Sequence, residues 1–316
     1  MTKTEIILAA ALPVFAIALL GVALRKANWL SEEADQSLLR LTVNVLAPCL
    51  VFDSIMHNQA LKQVGTLALA PILGFAGVAF GIGLGLLLAR GMAGLRERPA
   101  AATFAVCVGL FNYTYLPIPL AQSLFNRETI GVLFVYNLGV DISMWTLALM
   151  LMSGGSFGRD WKRLFNGPVI SILISLGLNL TGGERLIPDF VKRAISLLGQ
   201  CSVPMGVLLV GAIIADNTRD FHSASGWRVI LSGCSLRLGF LPLVSILLAW
   251  ALPCSIELKR ILVLQGAMPS AVFPIVLTKH YAGDPPTAMR VVIGTSVAGL
   301  VTIPLWLSFG LHLIEP

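Results

Sequence analysis

Runs of roughly 20 apolar residues recur from one end of the chain to the other, and each is long enough to cross a ~30 Å hydrocarbon core as a helix. Inside such a core every backbone N–H and C=O needs a partner within the protein, and a helix supplies one for each. The charge content agrees. Of 316 residues, 12% are charged and 56% are hydrophobic, whereas a soluble globular chain carries about 25% charged residues. No stretch is left over for a soluble domain. The expected fold class is an all-α membrane protein, and a soluble enzyme is excluded.

Ten spans can be marked, at 6–25, 37–57, 65–89, 100–125, 130–153, 166–182, 192–215, 228–252, 258–281 and 287–313. The segment 183–191 reads as a loop or a short interfacial helix. The larger share of the 22 Lys and Arg residues falls on the side that holds the loops after spans 1, 3, 5, 7 and 9. The positive-inside rule places that side in the cytoplasm and both termini outside it. The same rule explains the net charge of +6 as loop charge that sets topology, with no nucleic-acid partner. The first run ends in Arg25-Lys26 and lacks a basic leader, so it reads as a span and not a signal peptide. The five cysteines, Cys49, Cys107, Cys201, Cys234 and Cys254, are scattered through apolar runs without metal-ligand spacing, as buried thiols often are.

Two spans break the rule of apolar continuity. Span 4 contains FNYTYLPIPL, residues 111–120, with Pro117 and Pro119; span 9 contains AMPSAVFPIVL, with Pro269 and Pro274. Proline removes a backbone donor and clashes with the preceding turn. Backbone freed this way is tolerated at membrane depth only where protein or a wet cavity satisfies it. Spans 2 and 7 match as well, with Pro48 and Pro204 at similar places. Ten spans divide into five and five, and an odd-numbered unit repeated in tandem must be inverted. The pattern predicts two inverted five-helix repeats, 1–153 and 166–316, joined by a cytoplasmic linker at 154–165. Such repeats with discontinuous helices characterise secondary transporters.

These stretches resemble the auxin efflux carrier family of transporters, which includes plant PIN-type carriers and bacterial relatives described as malonate or malate permeases. LLRLTVNVLAPCLVFDSI resembles the family's helix breaking near a Pro-x-Leu. Asn112 and Pro119 fall where the family has Asn and Pro. LLGQCSVPMGVLLVGA and LRLGFLPL resemble its patterns in spans 7 and 8. In AMPSAVFPIVLTKHYAGDP, Pro269, Pro274, Tyr281 and Pro285 match its span 9. Departures are Phe111 for a glycine, Phe273 where many bacterial members have Asn, and a third span with no charged residue, where PIN-type carriers have an Asp and a Lys. The resemblance implies a fold shared in outline with bile-acid/sodium symporters, in which broken helices 4 and 9 cross. It also implies a scaffold domain from spans 1, 2, 6 and 7, and a transport domain from spans 3–5 and 8–10 that moves like an elevator.

Ionisable groups inside a membrane cost at least ~2.5–3.5 kcal/mol at a helix centre, so each is a functional hypothesis. Asp141 lies near the middle of span 5, one turn from Asn137, and is expected to face the crossing as a proton or cation carrier. Asp53, near the outer end of span 2, and Gln265 are further ion-coupling candidates. Arg237, inside span 8, is expected to snorkel, pair with an acid or attract an anion. Lys279 and His280 end span 9 at the cytoplasmic interface; Asn44 and Gln200 are lesser polar candidates. The expected substrate-binding residues are Asn112, Tyr113, Thr114, Tyr115 and Pro119 in the first break, with Ser270, Phe273 and Pro274 in the second. A Na⁺ site near Asn112 and Asp141 is one alternative; the coupling ion stays open, and no other cofactor is expected. No nucleotide loop, catalytic triad or HExxH motif is present, so no enzyme is expected. The reading is a secondary active transporter of a small organic anion (a carboxylate, auxin-like or a dicarboxylate). It would sit as a homodimer in a bacterial inner membrane. The alternatives are a cation/proton antiporter and a non-transporting receptor.

Overall fold

The computed structural model describes residues 3–153, 165–217, 226–281 and 283–315, and there the apolar runs are helical except at two splits. Twelve helical segments organise the described residues. They are α1 (Lys3–Lys26), α2 (Glu33–Ile55), α3 (Val64–Ala89), α4 (Arg98–Gly109), α5 (Pro117–Leu124) and α6 (Arg127–Met152). They continue with α7 (Gly167–Thr181), α8 (Asp189–Asn217), α9 (Trp227–Ala251), α10 (Ile256–Gly266), α11 (Phe273–His280) and α12 (Pro285–Ile314). Several starts are set by side chains that accept an orphan amide of the first turn, as N-caps do. Asn126 accepts from Thr129, Asn166 from Val169, Ser255 from Leu258 and Asp284 from Thr287.

Seven of these helices, α1, α2, α3, α6, α8, α9 and α12, are long and apolar enough to cross a membrane. The remaining expected spans are the 15-residue apolar α7 and two runs that are each split into a pair of short helices, α4 with α5 and α10 with α11. The segment expected as a loop or interfacial helix is a 3₁₀ turn, Gly183–Leu186, after which α8 begins at Asp189. The expected linker at 154–165 lies outside the described residues except for Phe165. The resemblance implied a break in span 2 near Pro48, and this is corrected. The helix widens to π geometry over Thr42–Leu46 and continues through Pro48. Pro204 likewise sits inside the uninterrupted α8.

Packing sorts the helices into two groups. In one, α1 lies along α8, and α2 packs on both α7 and α8. In the other, α3 packs on α4 and α6, α9 packs on α10 and α12, α4 meets α12 and α10 meets α6. Contacts of α2 with α6, and of α1 with α5 and α12, join the groups. Close approach inside the second group depends on glycine. A Cβ on Gly81 of α3 would fall 2.6 Å from the Cα of Gly109 on α4. Small residues let membrane helices gain packing contacts that apolar burial alone does not supply in lipid. The uncharged, glycine-rich span 3 is thus a packing strip. Of the seven long helices α6 is the most enclosed, with 72% of its apolar window buried against 28% for α1.

Candidate functional site

The two split runs meet at their splits. α4 stops at Gly109, the chain runs extended through Leu110 and Phe111, and α5 opens with Pro117. Proline suits the first turn of a helix because its missing N–H is one of the groups left unpaired there. α10 stops at Gly266, and α11 opens with Phe273-Pro274. The exposed backbone of each break is paired by the other. Asn112 N–H donates to the Pro269 carbonyl at 2.8 Å, and Ala271 N–H donates to the Leu110 carbonyl at 2.9 Å. The result is an antiparallel bridge between Phe111 and Ser270. Burial of broken backbone demands such pairing.

Side chains finish the satisfaction of both breaks. Asn112 Oδ1 accepts the amides of Tyr115 at 3.2 Å and Leu116 at 3.4 Å, which turns the chain into α5. Asn112 is buried, and its Nδ2 donates to no group among the described residues. Ser270 Oγ donates to the Cys107 carbonyl at the end of α4 at 2.7 Å, and its amide donates to Thr295 Oγ1 of α12 at 3.2 Å. The Ser270 hydroxyl therefore serves the backbone of the first break.

A polar cluster stands beside the bridge. Asn137 and Asp141 are one turn apart on α6 and share a face. Asn137 Nδ2 donates to the Tyr113 carbonyl at 2.8 Å, and Tyr113 Oη donates to Asp141 Oδ1 at 2.7 Å. From α10, Gln265 Nε2 donates to Asn137 Oδ1 at 2.9 Å and to the Tyr113 carbonyl at 3.2 Å. Gln265 Oε1 is buried and accepts no hydrogen bond among the described residues. An unsatisfied buried acceptor costs about 1–3 kcal/mol. Among the described residues no group of three His, Cys, Asp or Glu side chains could hold a metal. A cation here would need amide, carbonyl and hydroxyl oxygens beside the single Asp141 carboxylate.

Arg237 departs from two of its three expected uses. It does not snorkel, and among the described residues it pairs with no acid. It lies in a π-helical stretch of α9 and is 3% exposed. Its guanidinium donates to the carbonyls of Met268 (2.8 Å), Gly266 (3.0 Å) and Gln265 (3.1 Å), capping α10 at the second break. It also lies over the Phe111 ring, 4.8 Å from the centroid, so both breaks touch it. Pro242, one turn on in α9, leaves the Leu238 carbonyl without its helical donor, and Trp306 Nε1 of α12 donates to that carbonyl instead.

The other candidates separate clearly. The Tyr115 ring packs on Gly206 of α8 so closely that a Cβ there would overlap it. Phe273 meets Trp145 of α6 edge to face at 5.7 Å. Thr114 and Pro119 are half-buried beside them, and Pro274 is buried. Asp53 is not brought to the cluster. It is paired with Arg127 at 3.1 Å, and Arg127 stands 14 residues before Asp141 on α6, about 21 Å along the axis at 1.5 Å per residue. Asn44 and Gln200 are exposed and bond within their own helices, so they do not join it either. The side chains of Lys279 and His280 lie outside the described residues. Sequence reasoning missed Trp145 and Tyr136. Both are on α6, and Trp145 continues the one-turn spacing of Asn137 and Asp141, which is the signal that could have found it.

Comparison with known proteins finds membrane transporters. The pattern of the family described as membrane transport proteins matches residues 6–160 and 156–307. An uncharacterized transporter of Methanothermobacter thermautotrophicus is 26% identical over 97% of this chain and 98% of its own length. An uncharacterized transporter of Escherichia coli is 22% identical over 94% of this chain and 95% of its own. A probable auxin efflux carrier component of Oryza sativa is 26% identical over 48% of this chain and 26% of its own.

Proposed function

This chain belongs to the membrane transport protein family of the auxin efflux carriers, and from that premise we propose that it carries a small organic anion across the membrane by alternating access. The observation that carries the reading is the meeting of two broken helices at a buried bridge, with Asn112 on one side and the Tyr113–Asp141 pair beside it. In this reading α4 with α5, and α10 with α11, are single spans that cross at their breaks. With the other eight helices they make ten spans in two inverted repeats. The symmetric packing supports it: α1 lies on α8 as α7 lies on α2, and α4 meets α12 as α10 meets α6. The scaffold is α1, α2, α7 and α8. The remaining helices form a transport domain that moves against it, with Tyr115 riding on Gly206.

The anion is held where α5 and α11 begin. Helix N-termini carry about half a positive charge each and suit a carboxylate. Asn112 Nδ2 is a donor with no partner among the described residues, and Thr114 adds a hydroxyl. Asp141 is the coupling group. It binds a proton or, with Gln265 Oε1 and the Tyr113 hydroxyl, a Na⁺ ion. The positive-inside count places the termini outside the cytoplasm. Uptake of small mono- and dicarboxylates into proteoliposomes, with and without Na⁺ and at two pH values, tests the reading. A carboxylate should accumulate in the wild type, and Asn112→Ala should abolish it. Uptake that is equal in the two proteins removes the crossing from the mechanism.

A further inference from the structure

A cavity of about 310 Å³ lies between α3 and α9 and reaches Phe111 of the bridge and Gln265 of the polar cluster, but Asn112, Thr114 and Tyr115 do not line it. Its walls are apolar, with Leu73 and Phe80 from α3 and Val244 and Leu248 from α9. Phe80 and Leu248 are exposed on the outer faces of their helices, so the rim opens toward the acyl region. Its floor is polar and buried. Arg237 and Tyr136 both line it, each 3% exposed. The Tyr136 hydroxyl lies against the α3 wall, 3.5 Å from where a Cβ on Gly77 would stand. The volume is at the lower end of the range for small-molecule sites.

The charge on this floor is not balanced. The guanidinium is met by three carbonyls at the end of α10, and a helix C-terminus supplies only about half a negative charge. Among the described residues no carboxylate pairs with Arg237, and its Nη1 donates to no group. A buried charge left without a counter-charge costs several kcal/mol and attracts an anion. Chloride would answer the charge and leave the apolar walls empty. A bilayer lipid would fill the walls, but its head group stays at the interface, about 15 Å from the middle of the core. A small amphiphile with a carboxylate head does both.

We propose that this cavity is a second anion site, which takes a small amphiphilic monocarboxylate. The carboxylate meets Arg237 Nη1 and the Tyr136 hydroxyl, and the apolar body lies between α3 and α9. The cavity shares Phe111 and Gln265 with the crossing, but the groups that meet the carboxylate, Arg237 and Tyr136, have no part in the transport reading. Calorimetric titration of the full chain in lipid nanodiscs, with octanoate as the probe and empty nanodiscs as the baseline, tests it. Octanoate should bind at least tenfold more tightly than 1-octanol. Gly77→Leu, which fills the cavity and leaves Arg237 in place, should weaken octanoate at least tenfold, as should Arg237→Gln. Asn112→Ala should leave it within twofold of wild type. The proposal is overturned if octanol binds as tightly as octanoate, or if Gly77→Leu changes nothing. Binding that survives Gly77→Leu but is lost in Asn112→Ala would put the anion at the crossing. That result overturns this inference and leaves the transport reading standing.

Discussion

The two breaks solve the same problem by different means. In the first, residues 110–116, the turn into α5 is capped locally, since Asn112 turns its own oxygen onto the amides of Tyr115 and Leu116, and only the Tyr113 carbonyl takes side-chain donors from outside, Asn137 and Gln265. In the second, residues 267–272, the chain offers Ala, Met, Pro, Ser, Ala and Val, and a residue 30 positions earlier serves the last carbonyls of α10. That residue is Arg237. A self-capped break keeps polar donors of its own beside the bridge. A break capped from outside depends on its neighbour helix for its shape. The first break is therefore suited to contact solute, and the second to being held rigid by α9.

The largest effect should come from Arg237. Arg237→Met takes the guanidinium from the buried carbonyls of Gly266 and Met268, while the Gln265 carbonyl keeps the Met268 amide, and each buried acceptor left unpaired costs about 1–3 kcal/mol. Thermal unfolding in detergent should show the loss, with Arg237→Lys intermediate; a variant as stable as wild type would mean that α10 holds its end unaided. Next in size is the contact between the first break and α8. Gly206→Val forces the Tyr115 ring away, and overpacking of this kind costs about 1–3 kcal/mol. Transport should fall further than stability, which parallel uptake and melting measurements would reveal. Asn112→Ala removes a cap worth about 1 kcal/mol. A drop comparable to that of Arg237→Met would erase the contrast between the breaks. The smallest change in stability belongs to Asp141→Asn, since an amide oxygen still accepts from the Tyr113 hydroxyl. Melting should shift by less than the equivalent of about 1 kcal/mol, while the pH or Na⁺ dependence of uptake disappears. Retained ion dependence would take Asp141 out of the coupling.

The same contrast explains what the sequence could and could not reveal. The apolar runs, and the prolines of FNYTYLPIPL and AMPSAVFPIVL, announce helices and splits directly, because both follow from local backbone chemistry. Asn137 and Asp141 were legible together because helical spacing alone puts them on one face. Arg237 was visible as an anomaly, but its acceptors lie 28 to 31 residues away, and no local rule joins them. Asp53 misled for a related reason. Its partner, Arg127, starts α6, and only the packing of α2 on α6 pairs them and keeps Asp53 from the cluster. Pro48 promised a break that a π turn absorbed.

The central claim, that an anion binds where the two breaks meet, is tested most directly by ligand-induced stabilisation. The carboxylate that wild-type proteoliposomes accumulate would be added to purified wild-type protein, to Asn112→Ala and to Asn58→Ala. Asn58 is a buried asparagine that donates to the Glu128 carbonyl at the start of α6, away from the bridge. The account predicts a rise in melting temperature for wild type and Asn58→Ala, and none for Asn112→Ala. An equal rise in all three would contradict it.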